Sequence, residues 1–142
     1  MATINPYLNF KGTTEEAFNF YKTVFGTEFI ALQRFEGAPG CDGMPVEDQN
    51  KIMHIALPIG KDNVLMGTDV TDANKFDLIV GNNFSMSLNT DAEAEATTLF
   101  TALSEGAEIR MPLQKTFWGA YFGMLVDKFG IQWMVNYDYE QE

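Results

Sequence analysis

Cysteine and histidine are nearly absent from this 142-residue chain, with Cys41 and His54 as their only representatives. A single cysteine excludes an internal disulfide and a metal site built from several thiolates. Cys41 precedes Asp42, and an acidic neighbour disfavours the reactive thiolate. We therefore interpret Cys41 as incidental to any chemistry.

Positive charge is also scarce, since 9 lysines and arginines stand against 20 aspartates and glutamates, for a formal net charge of −11. Arg34 and Arg110 are the only arginines, and the lysines form no cluster. Nucleic acids and anionic membrane surfaces repel such a chain, so we expect neither of them as a partner.

Long apolar runs are missing too. No run approaches membrane-spanning length, and the first residues show no charged segment followed by an apolar one. These absences predict a cytoplasmic protein. A hydrophobic content of 46% with 20% charged residues is typical of a chain that folds around a core. We predict a single domain over residues 1–142, because this length fits one domain.

The first half of the chain has the pattern of a strand, a helix and three further strands. A capping-box signature at Thr13–Glu16 predicts where the helix begins, and Gly26 predicts where it ends. Residues 36–50 are rich in glycine and proline, and this loop is long enough to be a mobile lid or an exposed excursion. The predicted strands cover residues 4–10, 27–36, 51–59 and 63–68.

The second half repeats that order after a polar connection over residues 71–83. Residues 84–90 alternate as a strand, Thr90–Glu93 is a second capping box, and Gly106 predicts the end of the helix. The remaining predicted elements are a strand over 107–113, an aromatic loop at Phe117–Gly119, and two strands on either side of a tight turn at Asp127–Gly130, which Asp127 caps.

Short matches link the two halves at a constant spacing of 80 residues. Leu8-Asn9 recurs as Leu88-Asn89, and Gly26 recurs as Gly106. Together with the shared order of elements, these matches predict an α+β fold made of two βαβββ modules.

The predicted modules span residues of about 1–72 and 82–138. A module of this kind covers one face of its sheet with a helix and leaves the other face concave. We therefore predict that two curved, mixed or antiparallel sheets enclose a cavity.

Five segments, in order along nearly the whole chain, carry a family resemblance: Asn5–Gly26, Lys51–Leu57, Val64–Asp69, Thr116–Gly119 and Asp127–Trp133. They are similar to the signatures of PhnB-like proteins, which belong to the vicinal oxygen chelate superfamily with glyoxalase I and the bleomycin-resistance proteins. The resemblance implies the glyoxalase-like cavity fold and a homodimer. It implies no single activity, because the superfamily contains enzymes, drug-sequestering proteins and members of unknown activity.

The resemblance also implies where a metal would bind. Metal enzymes of the superfamily place a histidine or glutamate on each of four strands, and motif by motif these positions fall near Asn5, Met66, Ser85 and Met134. Two thioethers, a hydroxyl and an amide are poor ligands for a divalent ion, so we predict no metal.

We also predict no cofactor. Proteins of this group sometimes carry a demethylubiquinone methyltransferase name, which would require a methyl donor. The chain has no Gly-rich strand–turn–helix followed by an acidic residue to hold a nucleoside cofactor. We therefore do not adopt that activity.

His54 has two interpretations. It is a general base or a polar anchor for a ligand, or it is a half-buried strand histidine bonded to the backbone or to a neighbouring acid. A lone histidine without an identifiable partner favours the structural interpretation. His54 is thus a weak catalytic candidate.

Alternation along the strands places polar side chains on the face away from the helix, which the resemblance implies lines the cavity. Solvent exposure is the alternative for these residues, and packing in the core is the alternative for the methionines. The aromatic residues at 117, 118 and 121 could instead pack across a dimer interface or in the core. The predicted ligand-binding residues are Tyr7, Asn9, His54, Met66, Thr68, Ser85, Ser87, Phe117, Trp118, Tyr121 and Met134.

Three functions are consistent with this sequence. The favoured one is a metal-free cavity that binds a small, partly apolar molecule, with any reaction unassigned. The second is a metal-dependent lyase or dioxygenase, which would need ligands such as His54 with Glu47 or Asp69. The third is a protein that sequesters a cationic drug, to which the charge of −11 is suited.

Overall fold

The computed structural model describes residues 2–72 and 77–139. Contacts divide the chain into two units, Met1–Ile79 and Val80–Glu142. Within the described residues, no helix has both the length and the apolar character that spanning a bilayer requires. The predicted connection over residues 71–83 includes 73–76, which lie outside the described residues.

The described residues of the first unit form a four-stranded sheet, the long helix α1 and the short helix α2. The strand order is β1-β4-β3-β2, in which β1 runs parallel to β4 and the other neighbours are antiparallel. Its elements are β1 (Tyr7–Phe10), α1 (Thr14–Phe25), β2 (Ala31–Arg34), α2 (Val46–Gln49), β3 (Ile52–Ile59) and β4 (Asn63–Asp69).

The core of the first unit lies between α1 and the sheet. Phe18 and Tyr21 of α1 are fully buried, as is Leu65 of β4. Gly67 of β4 allows the closest approach, because a Cβ at that position would lie only 2.6 Å from the Phe18 ring. α1 ends at Phe25, and Gly26 follows with φ of +68°, as the sequence predicts.

The second unit has the same architecture. Its strand order is β5-β8-β7-β6, in which β5 runs parallel to β8 and the other neighbours are antiparallel. Its elements are β5 (Met86–Asn89), α3 (Glu93–Leu103), β6 (Glu108–Lys115), β7 (Ala120–Val126) and β8 (Gln132–Asp138).

α3 packs on β7 and β8, and Trp133 is buried on that face of the sheet. Gly123 of β7 lies directly under α3, because a Cβ there would be 2.7 Å from the Phe100 ring. The turn between β7 and β8 is closed by Asp127, whose Oδ1 accepts hydrogen bonds from the backbone N–H groups of Phe129 and Ile131. The predicted turn and its cap are confirmed.

The strand register confirms the predicted internal repeat. Tyr7 lies opposite Met66 in the first sheet, and the residue 80 positions later, Ser87, lies opposite Met134 in the second. The α+β class and the two strand-and-helix modules are therefore confirmed. The cavity expected between the modules stays a prediction.

The first capping box predicted the start of α1 correctly, since Thr13 is its N-cap residue, whereas the second placed the start of α3 too early. Thr13 makes no side-chain cap bond, and the Oδ1 atom of Asp69 instead accepts from the N–H groups of Gly12 and Thr14, at 3.0 and 3.1 Å. In the second unit, α3 begins at Glu93, and the Thr90 hydroxyl donates to the carbonyl of Ala92. A carboxylate distant in sequence has replaced the local cap of α1.

Several strands are shorter than their patterns predict. β1 begins only after Pro6, which fits the lack of an N–H group in proline. The strand predicted over 84–90 is limited to Met86–Asn89, so Ser85 lies outside it. The predicted loop over 36–50 contains the short helix α2, and its role as a lid stays a prediction.

Candidate functional site

Each sheet has one face that carries its long helix, and we call the other face the helix-free face. Phe18 of α1 packs on Gly67, so the neighbours of that glycine along β4, Met66 and Thr68, point the opposite way. Tyr7 pairs with Met66, and Asn9 pairs with Thr68. The structure therefore brings four predicted site residues together on the helix-free face of the first sheet.

His54 joins this group through Tyr7. The Tyr7 hydroxyl and the Nδ1 atom of His54 are 3.3 Å apart, and the two rings stack at 29° with centroids 5.9 Å apart. The structural interpretation of His54 predicted a bond to the backbone or to a neighbouring acid. The partner at Nδ1 is instead the hydroxyl of Tyr7. Two-residue alternation placed Tyr7 on the correct face of the sheet. The contact between Tyr7 and His54 could not be predicted, because it depends on the order of the strands in the sheet.

Two other polar residues of the first unit hydrogen-bond to the backbone. The Thr68 hydroxyl donates to the carbonyl of Met53 at 2.7 Å. Asn5, at a position that the resemblance gave to metal enzymes, accepts from the N–H of Val64 at 3.1 Å. These side chains hold neighbouring strands in place, which limits what they can offer to a ligand.

The helix-free face of the second sheet carries a line of methionines. Met134 lies opposite Met124, and Met124 lies opposite Met111 on the next strand. We call these three residues the methionine row. Ser87 extends the row on the other side, opposite Met134. All three methionines are half-buried, so their side chains are packed against neighbours and still partly accessible.

A polar pair borders the methionine row. Asn89 lies opposite Asn136, and the amide of Asn136 donates to Oδ1 of Asn89 at 3.3 Å and to Oδ1 of Asp138 at 3.1 Å. Phe122 lies opposite Asn136 on the other side. The helix-free face thus changes from apolar to polar within one step along the strands.

The predicted aromatic loop reaches this border. The Trp118 ring lies 6.2 Å from that of Phe122, and the Phe117 ring packs edge-on against Trp118 at 5.0 Å. Phe117 is 98% exposed and Trp118 is 52% exposed. Phe122 and Met124 were both missed by the sequence analysis, although two-residue alternation along β7 places them on the same face.

Tyr121 and Ser85 do not join the other predicted residues of this unit. The Tyr121 hydroxyl shares a hydrogen bond with the hydroxyl of Thr97 on α3, at 3.1 Å, so its side chain lies on the helix-bearing face. Ser85 precedes β5 and has no place in its alternation. The structure leaves Ser87 and Met134 as the predicted strand residues on the helix-free face.

A cavity of about 400 Å³ lies at the other end of the helix-free face. Val126 and Gln132 line it, each two residues along its strand from a member of the methionine row. The sequence did not single out this cavity. Its described lining is Val80, Gly81, Asn82, Arg110, Val126, Gly130 and Gln132.

The described residues contain no group of three or more histidine, cysteine, aspartate or glutamate side chains placed to hold a metal ion. Two of the four positions that the resemblance gave to metal enzymes are Met66 and Met134, which occupy corresponding places in the two sheets. The thioether is a poor ligand for a hard divalent ion. The donor chemistry at these positions therefore suits apolar contacts better than metal binding.

Comparisons with known proteins agree with this architecture. The family model described as 3-demethylubiquinone-9 3-methyltransferase matches residues 2–136. The chain is 40% identical to protein PA1353 from Pseudomonas aeruginosa, with a TM-score of 0.85 over 99% of this chain and 100% of that one.

Two further structures place the fold in a wider group. A putative 3-demethylubiquinone-9 3-methyltransferase, PhnB protein, from Bacillus cereus is 26% identical, with a TM-score of 0.75 over 96% of this chain and 99% of that one. A glyoxalase/bleomycin resistance/dioxygenase family enzyme from Burkholderia phytofirmans is 18% identical, with a TM-score of 0.63 over 94% and 97% of the two chains. At that identity the second likeness concerns the fold alone.

Proposed function

The chain belongs to the family described as 3-demethylubiquinone-9 3-methyltransferase, a PhnB-like family with the glyoxalase fold of the vicinal oxygen chelate superfamily, and we propose that it binds a small, partly apolar molecule. The binding surface is the helix-free face of the second sheet. The methionine row carries this proposal, because three half-buried thioethers line up there across three neighbouring strands.

Methionine suits this role for a physical reason. Its unbranched side chain adopts many conformations, and its sulfur is polarizable, so a row of methionines adapts to flat or irregular apolar molecules. The amides of Asn89 and Asn136 stand beside the row and supply hydrogen-bonding groups. An apolar wall with a few polar groups is the usual composition of a small-molecule site.

The proposal assigns no reaction. The methyl transfer named in the family description would need a nucleoside methyl donor, and the connections that lead into the two long helices do not fit one. The connection before α1 has one glycine, Gly12, and the N–H groups at its end already donate to the Asp69 carboxylate. The connection before α3 is Thr90-Asp91-Ala92, which has no glycine. Neither connection resembles a Gly-rich cradle.

His54 is the candidate for proton transfer within this proposal. Its ring lies on the helix-free face of the first sheet with the Tyr7 hydroxyl against Nδ1. A hydrogen bond to one ring nitrogen selects the tautomer and leaves the other nitrogen to act on a ligand. The support for this role is the geometry of the pair alone.

We also propose that the protein is a cytoplasmic homodimer. The exposed Phe117 and Trp118 support the subunit contact, since aromatic residues are enriched at interfaces. Sedimentation of wild type against the F117S/W118S double variant tests it. We expect a dimer at micromolar concentration for wild type and a monomer for the variant, and a monomeric wild type would overturn it.

The binding proposal is tested with the neutral fluorescent probe N-phenyl-1-naphthylamine. Replacing Met124 and Met134 by glutamine keeps the side-chain length but places a polar amide on the row. We expect the M124Q/M134Q variant to bind the probe about tenfold more weakly or worse, since each buried apolar side chain contributes ~1.5–3 kcal/mol.

The matched control is the M124L/M134L variant, which keeps the apolar area at the same two positions. We expect its affinity to stay within about threefold of wild type, because leucine and methionine exchange at little cost. Equal affinity of the glutamine and leucine variants would show that the row does not contact the probe. Thermal unfolding of each variant verifies that the fold is intact.

A further inference from the structure

Arg110 is the one charged residue in the described lining of the 400 Å³ cavity, in a chain whose net charge is −11. The described lining also contributes the side-chain amides of Asn82 and of Gln132, whose Nε2 atom already donates one hydrogen bond to the carbonyl of Phe84. A guanidinium with nearby amides is a donor set for anionic oxygen atoms, because arginine presents paired N–H groups to carboxylates and phosphates.

The strand carrying Arg110 is irregular at that point. Ile109 lies opposite Leu125, but Met111 lies opposite Met124, so the register slips by one and Arg110 falls between the paired residues. Such slips redirect a side chain and occur often beside functional sites. Here the redirected side chain is the arginine that lines the cavity.

Within the part of the chain that the structure describes, Arg110 makes one weak ion pair. Its partner is Glu108, whose Oε2 atom is 3.6 Å from Nη2, and the two side chains are 52% and 67% exposed. An exposed pair at this distance contributes little to stability, so a bound anion can compete with Glu108 for the guanidinium.

The cavity lies next to the methionine row along β7 and β8. Val126 and Gln132 line the cavity, and Met124 and Met134 follow them on the same face, about 7 Å along each strand for a step of two residues. A molecule with a compact anionic group at Arg110 and a chain of several methylene groups would span both regions.

We propose that the second unit binds an amphipathic anion, with its carboxylate or phosphate at Arg110 and its apolar part along the methionine row. This inference rests on the proposed function and names the ligand class for the same face. It adds a charge-specific contact to a surface that the proposed function treats as apolar with neutral polar groups.

Three probes of equal chain length test it by calorimetry at low salt: octanoate, octyl phosphate and 1-octanol. We expect at least one anion to bind wild type about tenfold more tightly than octanol, the size of one charge-assisted hydrogen-bonded contact. The R110Q variant should lose that preference while keeping its affinity for octanol. The better of the two anions identifies the head group.

Two variants control for charge. K61Q removes one positive charge from an exposed turn of the first unit and should leave the preference for anions unchanged. E108Q removes the competitor of the guanidinium and should tighten anion binding by a few fold, again without an effect on octanol.

The outcomes separate the two proposals. Octanol binding that depends on the methionine row, without any preference for anions or with a preference that survives R110Q, would overturn the anion site and leave the proposed function standing. Failure of all three probes to bind would overturn both. A preference that K61Q abolishes as fully as R110Q would reduce the effect to net charge and overturn the assignment of Arg110.

Discussion

Across three neighbouring strands, the helix-free face of the first sheet carries Tyr7, Met66 and Ala56, where that of the second carries Ser87, Met134 and Met124. The pairings are equivalent, because both units place their first strand parallel to their last. The side chains at these positions differ. The first unit has a tyrosine, a methionine and a small buried alanine, whereas the second has a serine and two methionines.

This difference gives the two helix-free faces different chemical groups. The first unit carries Tyr7 and His54, whose hydroxyl oxygen and Nδ1 atom lie 3.3 Å apart, and the second carries an apolar row with Arg110 in the lining of the adjacent cavity. The backbone that both units share carries no chemistry by itself. What each face can bind is decided by a few outward-pointing positions.

The units also resemble each other in one structural device. Asp69 and Asp127 are buried carboxylates, 2% and 4% exposed, and each accepts at least three hydrogen bonds from described residues. Asp69 joins the start of α1 to Ile52 of β3, whereas Asp127 joins its own hairpin turn to the indole of Trp133. One carboxylate fixes distant segments and the other fixes a local bend.

The largest predicted effect on stability comes from replacing one of these buried carboxylates. Changing either aspartate to asparagine turns one acceptor into an N–H donor that faces the N–H of Ile52 or the indole N–H of Trp133. We expect both D69N and D127N to lower the free energy of unfolding by about 3 kcal/mol, as buried donors lose their acceptor. Urea denaturation measures it.

The exposed Asp72 and Asp91 provide matched controls, one in each unit, and their asparagine variants should change stability by less than about 0.5 kcal/mol. A large loss for D69N with none for D127N would show that only the first unit depends on its carboxylate. That result would contradict the claim that both units depend on a buried aspartate.

The second prediction concerns the glycines under the helices. A Cβ at Gly123 would lie 2.7 Å from the Phe100 ring and 3.0 Å from backbone atoms of Leu113, and one at Gly67 would lie 2.6 Å from the Phe18 ring. We expect G67A and G123A each to cost about 2 kcal/mol, because overpacked side chains must shift.

The relief of this strain should differ between the units. Shortening Phe18 to leucine should restore part of the stability of G67A, because its closest contacts are ring atoms. The corresponding change of Phe100 should help G123A less, because the backbone of Leu113 stays in place. G43A, with nothing within 4 Å and an ordinary φ, is the control expected to be near neutral. Equal relief in both units would contradict this distinction.

The smallest prediction is a pH dependence specific to the first unit. Both terminal nitrogens of Arg34 contact the Glu15 carboxylate, at 3.1 and 2.5 Å, and these hydrogen bonds lower the pKa of Glu15 below its usual 4.5. Because the folded-state pKa lies below the unfolded one, the pair stabilises the fold above about pH 4.5, and this contribution is lost as the pH falls through the lowered pKa.

We therefore expect E15Q to be about 0.5 kcal/mol less stable than wild type at pH 7, since half-exposed pairs contribute little. The difference should disappear in strongly acidic solution, where both side chains are neutral. Denaturant unfolding at the two pH values measures it, with E16Q, the exposed neighbour, as control. A difference that persists in acid would assign the effect to something other than the ion pair.

Local patterns predicted much of the fold. Alternation identified the correct faces for Tyr7, Ser87 and Met134, because it depends on two-residue periodicity, and the Asp127 turn was visible from its own sequence. The cap of α1 was missed because its acceptor, Asp69, lies 55 residues from Thr14. Contacts at that range depend on the order of strands.

The candidate site was less predictable than the fold. Tyr121 was grouped with Phe117 and Trp118 because the three are close in sequence, but one of them belongs to a strand and faces α3. Arg110 was missed because a slip in register has no sequence signature. His54 gained its partner only when the folded sheet brought Tyr7 beside it.

The methyl signals of methionine test the central claim, that the helix-free face of the second sheet holds the ligand. Met86 is the internal control, because it lies opposite the buried Trp133 on the helix-bearing face of the same sheet. With methyl-labelled protein and N-phenyl-1-naphthylamine, we predict shifts for Met111, Met124 and Met134 and none for Met86. Probe binding that moves Met86, or that leaves the methionine row unchanged, would contradict the account.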